Sequence, residues 1–138
     1  MAVEAYINFQ GNCREAVDFY AQVFGTEKPE FMTFGEMPQG PDSQFTLPDN
    51  LKGWIMHTRL TIHGSNVMFS DVFPDMPFTT GNNITLVIVS DDMEEIKQSF
   101  NKLKDGGTVK MELQETFWSK CYGMITDKYG ISWQFSLR

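Results

Sequence analysis

One order of elements occurs twice along this chain, and that repeat limits the fold more than any other feature. Ala5 to Gln10 alternates apolar and polar residues and ends in Gly11-Asn12, which predicts a short strand closed by a turn, with Asn12 placed to cap the next element. From Cys13 to Phe24 the residues Ala16, Val17, Phe19, Tyr20, Val23 and Phe24 recur at three- and four-residue spacing before Gly25, the signature of an amphipathic helix and its stop. A strand over 29–35, a strand over Trp54–His63, a turn at Gly64-Ser65-Asn66 and a strand over Val67–Asp71 complete the first half. The pattern then restarts: Asn83–Val89 as a strand, a helix from Asp91-Asp92 carrying Met93, Ile96, Phe100 and Leu103, a stop at Gly106-Gly107, and strands Thr108–Leu113, Cys121–Thr126 and Ile131–Leu137. The helix starts and the helix-ending glycines of the two halves are both offset by about 80 residues, a spacing that agrees within the precision of such boundaries.

A duplicated βαβββ unit accounts for this order better than one long mixed sheet. The expected fold is α+β: two tandem βαβββ modules, about 1–72 and about 82–138, forming a curved mixed-sheet cup with helices outside, all within one domain over 1–138. The Pro- and Gly-bearing stretch over 36–52 is an insert in the first module and reads as a loop or lid, and Val72 to Gly81 reads as a linker.

Composition narrows the partners. Eleven Lys and Arg against eighteen Asp and Glu leave a formal charge of −7, which opposes the phosphate neutralisation on which nucleic-acid affinity rests. No apolar run approaches the roughly 20 residues of a spanning helix, so no membrane partner is expected. The N-terminus has no secretory pattern, and Cys13 and Cys121 stand far apart without CxxC spacing; both point to reduced thiols in the cytoplasm.

Several motifs, in order, carry a resemblance over nearly the whole chain. Tyr6-Ile-Asn-Phe-Gln-Gly-Asn-Cys-Arg-Glu-Ala-Val-Asp-Phe-Tyr20, Val23-Phe-Gly25, His57-x-x-Leu60, Met68-Phe-Ser-Asp71, Thr116-Phe-Trp118, Tyr122-Gly and Asp127-x-x-Gly-x-x-Trp133 resemble the PhnB-like branch of the glyoxalase, bleomycin-resistance and dioxygenase superfamily, also called the vicinal oxygen chelate superfamily. Ser119 departs from it, since the family pattern has Gly after the Trp. Some relatives carry the label 3-demethylubiquinone-9 3-methyltransferase. The residues give that activity no support: no GxGxxG spacing occurs, and the chain is short for a doubly wound cofactor-binding sheet.

The resemblance implies where a metal would sit, since the superfamily's metal enzymes use one side chain from the first and last strand of each module. Those positions hold Ala5 or Tyr6, Met68, Asn83 or Thr85, and Gln134, of which only Gln134 is a residue type the metal enzymes use. The expectation is therefore no metal and no cofactor, with a divalent ion left as the alternative should the strand register be slipped by one residue. The chain has only two histidines, and His63 sits beside Gly64. Neither cysteine has a histidine close in sequence, and no GxSxG elbow appears.

His57 is the titratable residue of greatest interest. It serves as a general base or a donor to a ligand, with Arg59 two residues on along the same strand face, or it is a half-buried histidine bonded to backbone and Arg59 an ordinary surface cation. Tyr6, Asn8, Met68, Ser70, Thr85 and Gln134 are expected to face the cup as ligand-binding residues, with Tyr6 and Asn8 alternatively plain solvated positions on the sheet surface, and Trp118 to wall its mouth or pack in the core or a dimer contact. Trp133 belongs to the core. Met32, Met37, Met56, Met68, Met76 and Met124 either fill the core or give an adaptable pocket.

Three functions are compatible with these residues. The first is a protein binding a small organic ligand in a metal-free cup, as bleomycin-resistance proteins of the superfamily do with cationic drugs. The second is an enzyme of lyase, isomerase or dioxygenase type, metal-dependent or with His57 as base, acting on a small oxygenated metabolite. The third is a structural or regulatory protein with a vestigial site. Binding is the favoured reading, and the resemblance and the exposed sheet edges imply a homodimer.

Overall fold

A computed structural model describes residues 1–37 and 46–138. The elements run β1 (Ala5–Phe9), α1 (Cys13–Phe24), β2 (Met32–Thr33), β3 (Ile55–Ile62), β4 (Ser65–Asp71), β5 (Thr85–Ser90), α2 (Met93–Leu103), β6 (Thr108–Gln114), β7 (Tyr122–Thr126) and β8 (Ser132–Leu137). The chain divides into two compact units, Met1–Phe78 and Thr79–Arg138. Each is βαβββ, with sheet orders β1-β4-β3-β2 and β5-β8-β7-β6, in which the first strand lies parallel to the last and the other pairings are antiparallel. This is the glyoxalase-like α+β fold that the repeated element order predicts.

In the first unit one face of the sheet lies under α1. Ala16, Val17, Tyr20 and Val23 are buried on that helix, and the Tyr20 ring stacks on Phe69 at 5.9 Å between centroids. Strand alternation then sends Met68 and Ser70 to the opposite face. In the second unit α2 buries Ile96, Phe100 and Leu103, and Phe100 meets Phe135 edge to face at 5.6 Å. Gln134 is therefore on the face away from that helix. Trp133 is 1% exposed and donates from Nε1 to Asp127, as a core tryptophan should.

Several boundaries differ from the sequence expectation, each for a local reason. Asn12 makes no side-chain cap; the Asp71 carboxylate reaches across and accepts from the Gly11 and Cys13 amides instead. Asp92, by contrast, caps α2 through the Glu94 and Glu95 amides. The β3–β4 turn falls at His63-Gly64, both at positive φ (49° and 82°), one step earlier than Gly64-Ser65-Asn66, because two left-handed residues match the twist of a hairpin. The strand expected over 29–35 shrinks to Met32–Thr33, followed by a 3-10 turn at Phe34–Glu36. Of the 36–52 insert, residues 38–45 lie outside the described residues; its end forms a 3-10 turn at Asp49–Leu51, with Leu47 and Leu51 buried. Cys13 and Cys121 are free and buried.

Candidate functional site

The short β2 borders a cavity. Met32 pairs with His57 and Thr33 with Ile55. Continuing that register backwards would set Glu30 opposite Arg59 and Pro29 opposite Leu60. The pairing stops at Met32, and the segment 26–31, which contains Pro29, runs beside β3 without joining it. The Thr58 hydroxyl donates to the Glu30 carbonyl at 2.8 Å and tethers the two. Between them opens a cleft of about 890 Å³ lined by Thr26–Met32, Glu36 and His57–Thr61.

The sheet face beside this cleft gathers six of the residues singled out from the sequence. Tyr6 stands opposite Met68, Asn8 opposite Ser70, and Arg59 opposite Met68 in the strand registers. The Tyr6 hydroxyl and His57 Nδ1 are 3.4 Å apart, reaching towards each other across β4, and their rings are tilted at 44°. The Ser70 hydroxyl donates to Asn8 Oδ1 at 3.2 Å. Arg59 is exposed and, among the described residues, makes no ion pair; the one found there joins Lys52 to Asp49. Of these six, His57 and Arg59 also line the cleft.

The other three lie in the second unit. Gln134 donates from Nε2 to the Thr85 hydroxyl at 2.8 Å and accepts from the Tyr122 hydroxyl on Oε1. Trp118 rests edge to face on Tyr122 at 5.2 Å and is 54% exposed, so it is not a core residue. Tyr122 thus joins the group, although in the sequence it stands out only as part of a motif. Ser119, the departure from the family pattern, is 7% exposed; its hydroxyl lies 2.9 Å from the Leu137 carbonyl and accepts from the Cys121 amide. It ties the loop before β7 to the end of β8.

The positions at which related enzymes hold a metal do not fit one here. Met68 offers a thioether, poor for a hard divalent ion, and both ends of the Gln134 amide are already engaged. Among the described residues no group of three or more His, Cys, Asp or Glu side chains could hold an ion. The cysteines are no better placed for chemistry: Cys13 is fully buried, and desolvation, then the Asp71 carboxylate, push its thiol well above the ordinary value. Glu27, Lys28 and Glu30 in the cleft wall are missed by sequence reasoning: Glu30 falls in the expected strand over 29–35, and Glu27 and Lys28 in the gap between the helix and that strand; Pro29 is the available sign against the strand.

Comparison with known proteins agrees with this architecture. The family described as 3-demethylubiquinone-9 3-methyltransferase matches residues 2–136. Protein YjdN of Escherichia coli is 35% identical over 141 residues, covering 99% of this chain and 95% of its own. The crystal structure of PA1353 from Pseudomonas aeruginosa superposes with a TM-score of 0.84 at 33% identity, covering 100% of this chain and 98% of that one. A Bacillus cereus structure described as a putative 3-demethylubiquinone-9 3-methyltransferase, PhnB protein, gives 0.70 at 27% identity with full coverage of both chains. The chain belongs to this PhnB-like family.

Proposed function

We propose that this protein binds a small organic molecule in the cleft between residues 26–32 and β3, with His57 and Arg59 as its polar contacts and Tyr6, Asn8, Met68 and Ser70 on the adjoining face. The observation that carries the reading is the 890 Å³ cleft lined by both His57 and Arg59, a size suited to a small ligand. Thr85, Gln134 and Trp118 form a second polar and aromatic group, which we propose as a lesser ligand contact. The test is a fragment set of acids, amines and neutral heterocycles followed by amide chemical shifts on the full chain. Compounds that perturb residues 26–32 and 57–61, and bind at least several-fold more weakly to His57→Ala, support the reading. Hits elsewhere, or none, overturn it.

A His57-based enzyme is the second reading, favoured by the 3.4 Å approach of the Tyr6 hydroxyl to Nδ1, an arrangement that can orient an imidazole for proton transfer. Mass spectrometry of a bound compound after incubation separates the two: recovery unchanged supports binding, conversion supports catalysis. No metal enters either mechanism as we propose it, because the donor set is wrong for one. The methyltransferase description is in our reading a family name rather than an activity. Gly11, the glycine after β1, is used in packing, since a Cβ there would come within 2.9 Å of the Trp54 ring.

We further propose a homodimer. The exposed apolar residues Ile84, Val87, Val89 and Trp118 and the sheet-edge strands β1 and β5 support it. No described helix is long and apolar enough to cross a membrane. A cytoplasmic location is part of the same proposal, consistent with two free, buried thiols.

A further inference from the structure

The cleft has two walls of opposite charge that do not neutralise each other. On the strand wall stand Arg59 and His57; on the facing segment stand Glu27 and Glu30, with Lys28 between them. In a closed strand pair Glu30 and Arg59 would be direct cross-strand neighbours and an ordinary ion pair. The segment does not pair with β3 there, and among the described residues neither Glu30 nor Arg59 makes an ion pair. The third acid of the cleft, Glu36, is committed elsewhere: it accepts from the Thr33 amide and closes a capping box over the Phe34–Glu36 turn. Arg59 and the acids Glu27 and Glu30 thus line one cleft with no ion pair between them among the described residues.

We infer that the ligand of this cleft is a small zwitterion, with an oxyanion end on Arg59 and the imidazole of His57 and an ammonium end on Glu30 and Glu27. The inference rests on the binding reading above and adds the ligand's chemical class. A bare anion would meet Arg59 but leave Glu27 and Glu30 without a counter-charge from the ligand, and a bare cation would leave Arg59 without its counter-charge. A molecule carrying both charges satisfies both walls, and its length is set by the splay of the two segments. The guanidinium suits a planar oxyanion, which it can grip with two parallel hydrogen bonds.

The test uses a ruler of ω-amino carboxylates (4-aminobutanoate, 5-aminopentanoate and 6-aminohexanoate) titrated into the full chain by calorimetry, with amide shifts to locate binding. Butanoate and butylamine serve as single-charge controls. One length should bind best, at least tenfold more tightly than either control, with shifts confined to residues 26–32 and 57–61. Arg59→Gln should remove most of the advantage over the amine, about tenfold or more, and Glu30→Gln most of the advantage over the carboxylate. Both side chains are exposed, so the variants should fold, and melting curves of each are the check on that. Equal binding of zwitterion and single-charge controls, or variants that bind like the parent, overturns the inference. If the ruler fails while the fragment set yields neutral or singly charged ligands in this cleft, the zwitterion falls and the binding reading stands; if neither yields a ligand there, both fall.

Discussion

Asp71 and Asp127 each commit a buried carboxylate to three donors, and these six hydrogen bonds do much to fix the two units. Asp71 accepts from Gly11, Cys13 and Ile55 amides, joining the start of α1 to β3. Asp127 accepts from the Tyr129 and Ile131 amides and from the Trp133 indole. Removing an acceptor from buried donors costs about 1–3 kcal/mol per donor left unmet, so Asp71→Ala should lower stability by about 3 kcal/mol in urea denaturation. A loss under about 1 kcal/mol would show that water replaces the carboxylate. Cys13 gives a second residue-scale prediction. With burial and Asp71 both raising its thiol, native protein should resist alkylation at neutral pH, while urea-unfolded protein should react at both cysteines. The folded state disfavours the thiolate, so this contribution to stability is complete below the ordinary thiol value of 9.0 and is lost as pH rises above it. Rapid labelling of Cys13 in the native state would contradict this.

At the scale of elements, Pro29 and Gly123 do opposite things. The segment that contains Pro29 stays apart from β3, whereas Gly123 lets a strand pair come close: a Cβ at Gly123 would lie 2.9 Å from both the Phe100 ring and Leu113, and 3.0 Å from the Met111 carbonyl. Gly123→Ala should therefore destabilise by about 1–3 kcal/mol, read as a lowered melting temperature. Pro29→Val supplies the missing amide and should extend β2 along β3. Slower hydrogen exchange at residues 59–61 together with weaker ligand binding is the expected outcome; unchanged exchange would mean that something other than proline splays the segment. The helices and most strands were legible in the sequence because their faces are separated by periodic burial: Val17, Tyr20 and Val23 against one sheet, Ile96, Phe100 and Leu103 against the other. The early hairpin turn at His63-Gly64 and the truncated β2 were not, since a histidine at positive φ is unusual and a strand's pairing depends on its partner as much as on its own residues.

For the whole molecule, the repeat was readable because each βαβββ unit has its own core and its own element order. The site was only partly readable. Alternation in β1, β3 and β4 placed Tyr6, Asn8, His57, Arg59, Met68 and Ser70 on one face, but the cleft arises from a strand that fails to form, which no periodicity reports. Two further expectations belong at this scale. Sedimentation of the untagged protein should give the mass of two chains, and a monomer at micromolar concentration would contradict the dimer. Chelator should leave the melting temperature unchanged and elemental analysis should find no stoichiometric divalent ion, because Met68 and a Gln134 already bonded at both ends make a poor ligand set; a chelator-induced drop would favour the metal-dependent enzyme instead. The central claim is that the cleft beside β3 is where this protein meets its ligand. An amide chemical-shift map of the full chain with a hit from the fragment set tests it most directly: perturbations clustered at residues 26–32 and 57–61 are predicted, and a map centred on Trp118, Tyr122 and Gln134 would contradict the account.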